Sequence, residues 1–118
     1  MKSLTFSLLT VFALISTTAL ATNEPQKHFG YFQVGKAQIG EACPELKVGQ
    51  QLTYKVKSNK PIQFNFHFHQ GEEVTYPVEE HETQLIEKTF IVEIDETYCL
   101  MWTGLEDNST VEMEYFIH

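Results

Sequence analysis

Arginine is absent from this chain of 118 residues. All eight basic side chains are lysines, 16 side chains are acidic, and the formal net charge is −8. Nucleic-acid binding needs a basic face, so this composition excludes a nucleic-acid partner. Without arginine the chain also lacks the planar fork that holds phosphate or carboxylate with two hydrogen bonds. The length fits one small domain.

Long apolar runs are missing as well, with one exception at the N-terminus. Lys2 is followed by a mostly apolar run over residues 4–15, and Ala19-Leu20-Ala21 has a small-x-small pattern. This order is typical of a secretory signal peptide, and the run is short for a membrane-spanning helix. We therefore predict a signal peptide over residues 1–21 and no membrane span in the mature chain. Its removal would change the net charge from −8 to −9.

The expected location is therefore outside the cytoplasm, either the periplasm of a bacterium or the secreted fraction. Cysteine is scarce, and the two present are Cys43 and Cys99. In an oxidising compartment two cysteines in a small domain usually form a disulfide. Two alternatives stay open, namely a thiolate pair that binds a metal and a bridge between two chains. The wide separation and the absence of a CxxC motif disfavour the first alternative.

Helical periodicity is missing from the mature chain, and apolar and polar residues alternate instead. The clearest run has Phe64, Phe66 and Phe68 on one face and His67 and His69 on the other. Such alternation is typical of strands with one buried face. Strands are predicted in the same way over residues 52–57, 62–69, 88–95 and 110–117, with a short extended piece over 73–78 that is stopped by Pro77. Residues 97–103 are apolar on both faces, as expected for a central strand. Residues 29–39 are a weaker strand candidate, interrupted by Gly30 and Gly35.

Turn signals separate these strands at residues 58–61, 70–71 and 107–109. We predict a flexible leader over residues 22–28 and one domain over residues 29–118. The expected fold is all-β, an antiparallel β-sandwich of about seven short strands with one disulfide.

His67 and His69 form the most distinctive candidate site. Side chains at positions i and i+2 of a strand share a face, and two imidazoles that converge in this way can bind copper or zinc. Glu73 and His81 follow the turn and would complete a set of four ligands. The alternative is a solvent-facing or structural role for polar residues on a half-exposed strand. Neighbouring glutamates would raise the pKa values of the histidines if they lie close in space.

Several segments resemble the GOLD-type β-sandwich, which is known from the luminal domain of emp24-type cargo receptors. They are residues 48–54, 61–67, Phe90 and 98–104. In that family an aromatic-Cys-aromatic strand near the C-terminal end pairs its cysteine with one near the start, and Cys99 and Cys43 match those positions. This sequence lacks the coiled coil and membrane segment of those receptors, so the resemblance implies a stand-alone exported relative of unassigned function, without their transport activity.

No nucleophile elbow, HExxH motif or phosphate loop is present, so we do not expect an enzyme. We expect a small exported binding module for an unidentified protein or small ligand. Its candidate contact residues are aromatic, namely Tyr76, Tyr98 and Trp102, with Tyr31 as a further contributor, and for Trp102 core packing is the favoured alternative. The alternative is a periplasmic metal-binding protein with copper or zinc at His67, His69, Glu73 and His81.

Overall fold

The computed structural model describes residues 26–118, and the predicted signal peptide and residues 22–25 of the predicted leader lie outside this range. Within the described range the chain has no helix, and so none long and apolar enough to span a membrane. All strand pairs are antiparallel. The seven strands are β1 (Gln26–Val34), β2 (Ile39–Ala42), β3 (Glu45–Leu46), β4 (Gln51–Gln70), β5 (Glu73–Ile91), β6 (Glu96–Gly104) and β7 (Ser109–Ile117).

A long bent hairpin, β4 with β5, belongs to both layers of the sandwich. The first half of β4 pairs with β7, which pairs with β1, and the second half pairs with β6, which pairs with β2. The short strand β3 also pairs with β6. Because the hairpin continues from one layer into the other, the fold is an antiparallel β-sandwich that is closed along this side like a barrel. The predicted fold class is confirmed.

The bend in β4 lies where the sequence predicted a turn. Lys57 pairs with Leu85 and Ile62 pairs with Thr83, so four residues of β4 lie opposite the single residue Gln84. The turn-forming residues 58–61 therefore form a bulge inside a 20-residue strand. Proline is tolerated at a bulge because no ladder hydrogen bond is required there.

Strand β5 also differs from its prediction, because it continues through Pro77 and ends at Ile91. Tyr76 and Pro77 together lie opposite His67, at a register shift between the Phe68–Thr75 and Phe66–Val78 pairs. Among the described strands β5 pairs with β4 alone, so Pro77 lies on an edge. Edges and bulges are where strands accept proline.

The first strand begins earlier than predicted. Gln26, Lys27 and His28 pair with residues 115–117 of β7, so this part of the predicted leader belongs to the sheet. The ring of His28 stacks on Tyr115 at a centroid distance of 4.6 Å. The described sandwich therefore starts at Gln26 rather than at Phe29.

Alternate residues of β4 build the core between the two layers. Tyr54 in the first half has its ring 6.0 Å from Phe64 and 5.6 Å from Phe66 in the second half. Burial raises the pKa of the Tyr54 phenol to about 12. Trp102 is fully buried over Gly40, where a Cβ atom would collide with the indole ring. Aromatic packing across the bent strand therefore holds the layers together.

The disulfide between Cys43 and Cys99 is present, as expected. It continues the β2–β6 ladder by one step, because the preceding pair in that ladder is Ala42 with Leu100. The bridge ties the short strand β2 to the central strand β6. A disulfide is compatible with an oxidising, exported location.

Candidate functional site

The predicted histidine pair lies on the outer face of the second layer. His67 and His69 are alternate residues of β4, and their ring centroids are 5.2 Å apart with the planes nearly perpendicular. His67 is 7% exposed, whereas His69 is exposed. Tyr76 of β5 lies beside them, with its ring centroid 5.8 Å from that of His67. We call these three residues the imidazole face.

The disulfide lies on the other side of the imidazole face. Cys99 of β6 pairs with His67 in the strand register. Glu41 of β2 lies one row away, and its carboxylate is 3.7 Å from the Sγ atom of Cys43. Four strands, β5, β4, β6 and β2, therefore contribute to one surface. The side chains on it are held by a hydrogen-bonded sheet rather than by loops.

A buried hydrogen bond orients His67. Its Nδ1 atom is 2.7 Å from Oδ1 of Asn65, which is also buried. An amide oxygen only accepts hydrogen bonds, so Nδ1 carries the proton and donates it. In the neutral ring the lone pair is then on Nε2. This tautomer leaves Nε2 able to accept a hydrogen bond or to ligate a metal.

Burial lowers the pKa of His67 below its usual value, and a charge on neighbouring His69 lowers it further. The carboxylate of Glu41 opposes these two effects and is the weakest of the three. The expectation that acidic neighbours would raise the pKa therefore does not hold for His67. The glutamates of β5 are not among the groups that shift it.

Glu73 and His81 lie away from the histidine pair. Glu73 pairs with Gln70 and His81 pairs with Phe64, and both partners alternate onto the face opposite His67. The ring of His81 lies 6.1 Å from that of Phe64, and its Nδ1 atom is 2.9 Å from the carbonyl oxygen of Glu79. The structure therefore brings together two members of the predicted ligand set and separates the other two from them.

Potential metal ligands cluster at only one other place within residues 26–118. Glu41, Cys43 and Cys99 have ligand atoms within 4.8 Å of one another. The two sulfur atoms are bonded to each other, so neither is a thiolate available to a metal. His67 and His69 thus offer two nitrogen ligands, with no third side-chain ligand from the described residues in place.

Two of the predicted aromatic contact residues are in the core. Trp102 and Tyr98 are buried, and the Tyr98 hydroxyl donates a hydrogen bond of 2.6 Å to the carbonyl oxygen of Ile94. Tyr76, by contrast, is 42% exposed and lies on the imidazole face. The alternation within β6 did not distinguish its two faces, because both are apolar.

A second group of exposed aromatic residues lies on β1. Phe29 and Tyr31 are 66% and 57% exposed on the outer face of the first layer. Phe29 also lines a depression of about 120 Å³ together with Lys55 and Glu112. A larger open depression of about 500 Å³ lies by Val34 and Asp107 and includes none of the predicted site residues. The sequence contained no signal that Phe29 is exposed, because Phe29 and Tyr31 on one side of the strand and Phe32 on the other are all aromatic.

No protein-family model matches the chain, and no curated protein sequence matches it. The imidazole face and the exposed aromatic residues of β1 are therefore the features from which a function is proposed.

Proposed function

We propose that this chain is an exported binding module that contacts its ligand through the imidazole face. The observation that carries the proposal is the exposure of Tyr76 and His69 beside the fixed, buried ring of His67. Tyrosine supplies a rigid, amphipathic contact with little conformational entropy to lose, which is why it is enriched at interfaces.

The support for this face is its preorganisation. The Asn65–His67 hydrogen bond and the disulfide fix its central part before any ligand arrives. Preorganised contacts bind more tightly because less ordering free energy is lost on association. The face presents the His69 imidazole and the Tyr76 phenol, with the Glu41 carboxylate beside it, which suits a ligand with hydrogen-bond donors and an apolar part.

No catalytic step is part of the proposal. The hydrogen-bond partner of His67 is the amide of Asn65, and the described residues include no free cysteine. We also propose that the chain is related to GOLD-type sandwiches, because a stand-alone sandwich of that type would be an interaction module.

The test compares three immobilised proteins in an exported-fraction extract, with chemical cross-linking. They are the wild type, the Tyr76→Ala/His69→Ala variant and the Leu85→Ala/Ile91→Ala control, whose exposed residues lie on β5 away from the face. We expect one cross-linked partner with the wild type and the control, and at least about a tenfold loss with the first variant. Equal capture by all three proteins would overturn the proposal.

A copper or zinc site is the second candidate. The observation that favours it is the pair of imidazole rings of His67 and His69, whose centroids are 5.2 Å apart. His67 has its Nε2 lone pair free, and the nearby Glu41 carboxylate attracts cations. The set that we now propose is His67 with His69, completed by water or by a ligand, without Glu73 or His81. Two imidazoles with open positions suit copper or zinc.

This candidate is tested by calorimetric titration of the mature chain with Cu²⁺ and with Zn²⁺. The His67→Ala/His69→Ala variant should lose at least about tenfold in affinity, whereas His81→Ala should bind like the wild type because His81 lies on the other face. Unchanged affinity in the double variant, or an equal loss in His81→Ala, would remove the metal candidate.

A further inference from the structure

Within the described residues, strand β1 is an edge of the sandwich. Among the described strands it pairs with β7 alone, through nine consecutive residue pairs without a register shift. A strand directs its N–H and C=O groups alternately to its two sides, so about half of those on β1 point away from β7. These groups form a ready template for another strand.

The other long edge, β5, is protected against such pairing. It has Pro77, five glutamates and several register shifts along its 19 residues. Charges, prolines and bulges are the usual means by which proteins prevent edge-to-edge association. The sequence of β1, QKHFGYFQV, contains no proline and no acidic residue, and Lys27 is its only charged side chain.

The side chains of β1 hold the strand in place and still leave two aromatic rings in solvent. His28 stacks on Tyr115, and Phe32 lies 5.2 Å from Trp102. Phe29 and Tyr31 point the other way and remain mostly exposed. The edge is therefore held in a regular extended conformation and carries two exposed aromatic rings, which lowers the entropy that pairing would lose.

We propose that β1 pairs antiparallel with β1 of a second copy of this chain, about a twofold axis at Gly30. Gly30 is the centre of the strand, so this register pairs all nine residues of Gln26–Val34. Phe29 then faces Tyr31 of the second copy on the outer face. Lys27 faces Gln33, so no like charges meet along the interface.

The local charge along this edge does not oppose a second copy. Lys27 already has a partner in Glu114, at 3.5 Å. On the adjacent strands Lys55 pairs with Glu114 and Lys57 pairs with Glu112 in the strand register, so the surroundings alternate in sign. A strand recruited by charge would need an excess of one sign here. A copy of β1 needs none, because the strand is nearly neutral and twofold pairing about Gly30 places no like charges opposite each other.

Sedimentation equilibrium over a range of concentrations tests the proposal on the mature chain. We expect a monomer–dimer equilibrium for the wild type. Phe29→Glu/Tyr31→Glu should raise the dimer dissociation constant by at least about tenfold, because like charges would meet across the axis. The matched control Leu85→Glu/Ile91→Glu adds the same charge at comparably exposed positions on β5 and should leave it within about threefold.

A wild-type chain that stays monomeric up to about 1 mM overturns the proposal, as does an equal effect of both variants. Hydrogen exchange of the wild type gives a second measurement that does not depend on the variants folding. The amides of residues 26–34 should exchange more slowly as concentration rises. Concentration-dependent protection in residues 73–91 instead would place the contact on β5 and would also overturn it.

Discussion

His67 lies between β6 and β5, opposite Cys99 and beside Tyr76. The charged or titratable groups around it are His69 on its own strand and Glu41 on β2. Removal from water disfavours the imidazolium more than one carboxylate favours it, so the folded chain keeps this ring neutral to a lower pH than an exposed histidine. The consequence is a pH-dependent contribution to stability.

The sign of that contribution follows from proton binding. An unfolded histidine titrates at about pH 6.5, and the folded pKa of His67 lies below this value. Between the two values the unfolded chain binds a proton that the folded chain does not. The contribution of His67 to the free energy of unfolding is therefore fully present above about pH 6.5 and is lost as the pH falls toward the folded pKa of His67.

We predict that His67→Gln makes the free energy of unfolding less dependent on pH between about 7 and 5. Glutamine keeps a polar side chain that does not titrate. Urea unfolding at pH values across this range measures the slope, with His81→Gln as the control because His81 is exposed on the other face. A slope in His67→Gln equal to that of the wild type would contradict the prediction.

The positions of Glu73 and His81 follow from a turn that the alternation pattern does not specify. Residues 71 and 72 connect the hairpin, and Gln70 pairs with Glu73. With this two-residue connection the odd-numbered residues next to the turn on β5 share a face with the even-numbered residues of β4. Tyr76 therefore joins the histidines, and Glu73 does not. Two register shifts separate His81 from the turn, and together they return it to the face of Phe64. The two faces of β4 were predictable from the sequence, but their pairing with β5 depended on the exact turn length.

At the scale of elements, the two long edges differ in their protection. The sequence patterns that predicted the end of a strand at Pro77 and a turn at residues 58–61 identify real irregularities, but both are bulges within continuous strands. Local turn preference competes with pairing to a neighbouring strand, and in a long hairpin the pairing on either side prevails. A local sequence pattern does not show the outcome, because the strand that pairs alongside is distant in the chain.

We predict that Glu79→Thr/Glu80→Thr/Glu82→Thr makes the protein aggregate at lower concentration without a large change in stability. These glutamates lie on the free edge of β5, and threonine favours strand pairing. Light scattering as a function of concentration measures aggregation. The free energy of unfolding, measured with urea, should change by less than about 1 kcal/mol.

The control for this prediction removes the same number of charges elsewhere. Glu72, Glu93 and Glu106 are exposed and lie outside the strands, so their triple replacement by threonine changes the net charge equally. This variant should scatter light like the wild type. Equal aggregation of both variants would show that net charge, not local protection of the edge, keeps the protein in solution.

At the scale of the whole molecule, the sandwich is closed on one side and open on the other. The β4–β5 hairpin joins the layers continuously, whereas β1 and β2 are the edges of the opposite side. Strand β2 has only four residue pairs with β6, and the disulfide follows directly after them. The bridge therefore anchors the shortest of the layer-edge strands and, with it, Glu41 beside the imidazole face.

Cys43 and Cys99 are 56 residues apart in the chain, so the bridge lowers the conformational entropy of the unfolded chain. In the chain-entropy model this raises the free energy of unfolding by about 4 kcal/mol. We expect Cys43→Ser/Cys99→Ser to lower the free energy of unfolding by about 2–4 kcal/mol, measured by urea unfolding. The wild type in reductant should lose a similar amount, which separates the effect of the bridge from that of the serine side chains.

Because β2 ends at the bridge, hydrogen exchange should be faster in residues 39–42 than in β7 of the same variant. A loss below about 1 kcal/mol would mean that β2 pairing and the buried Trp102 hold the open side without covalent help.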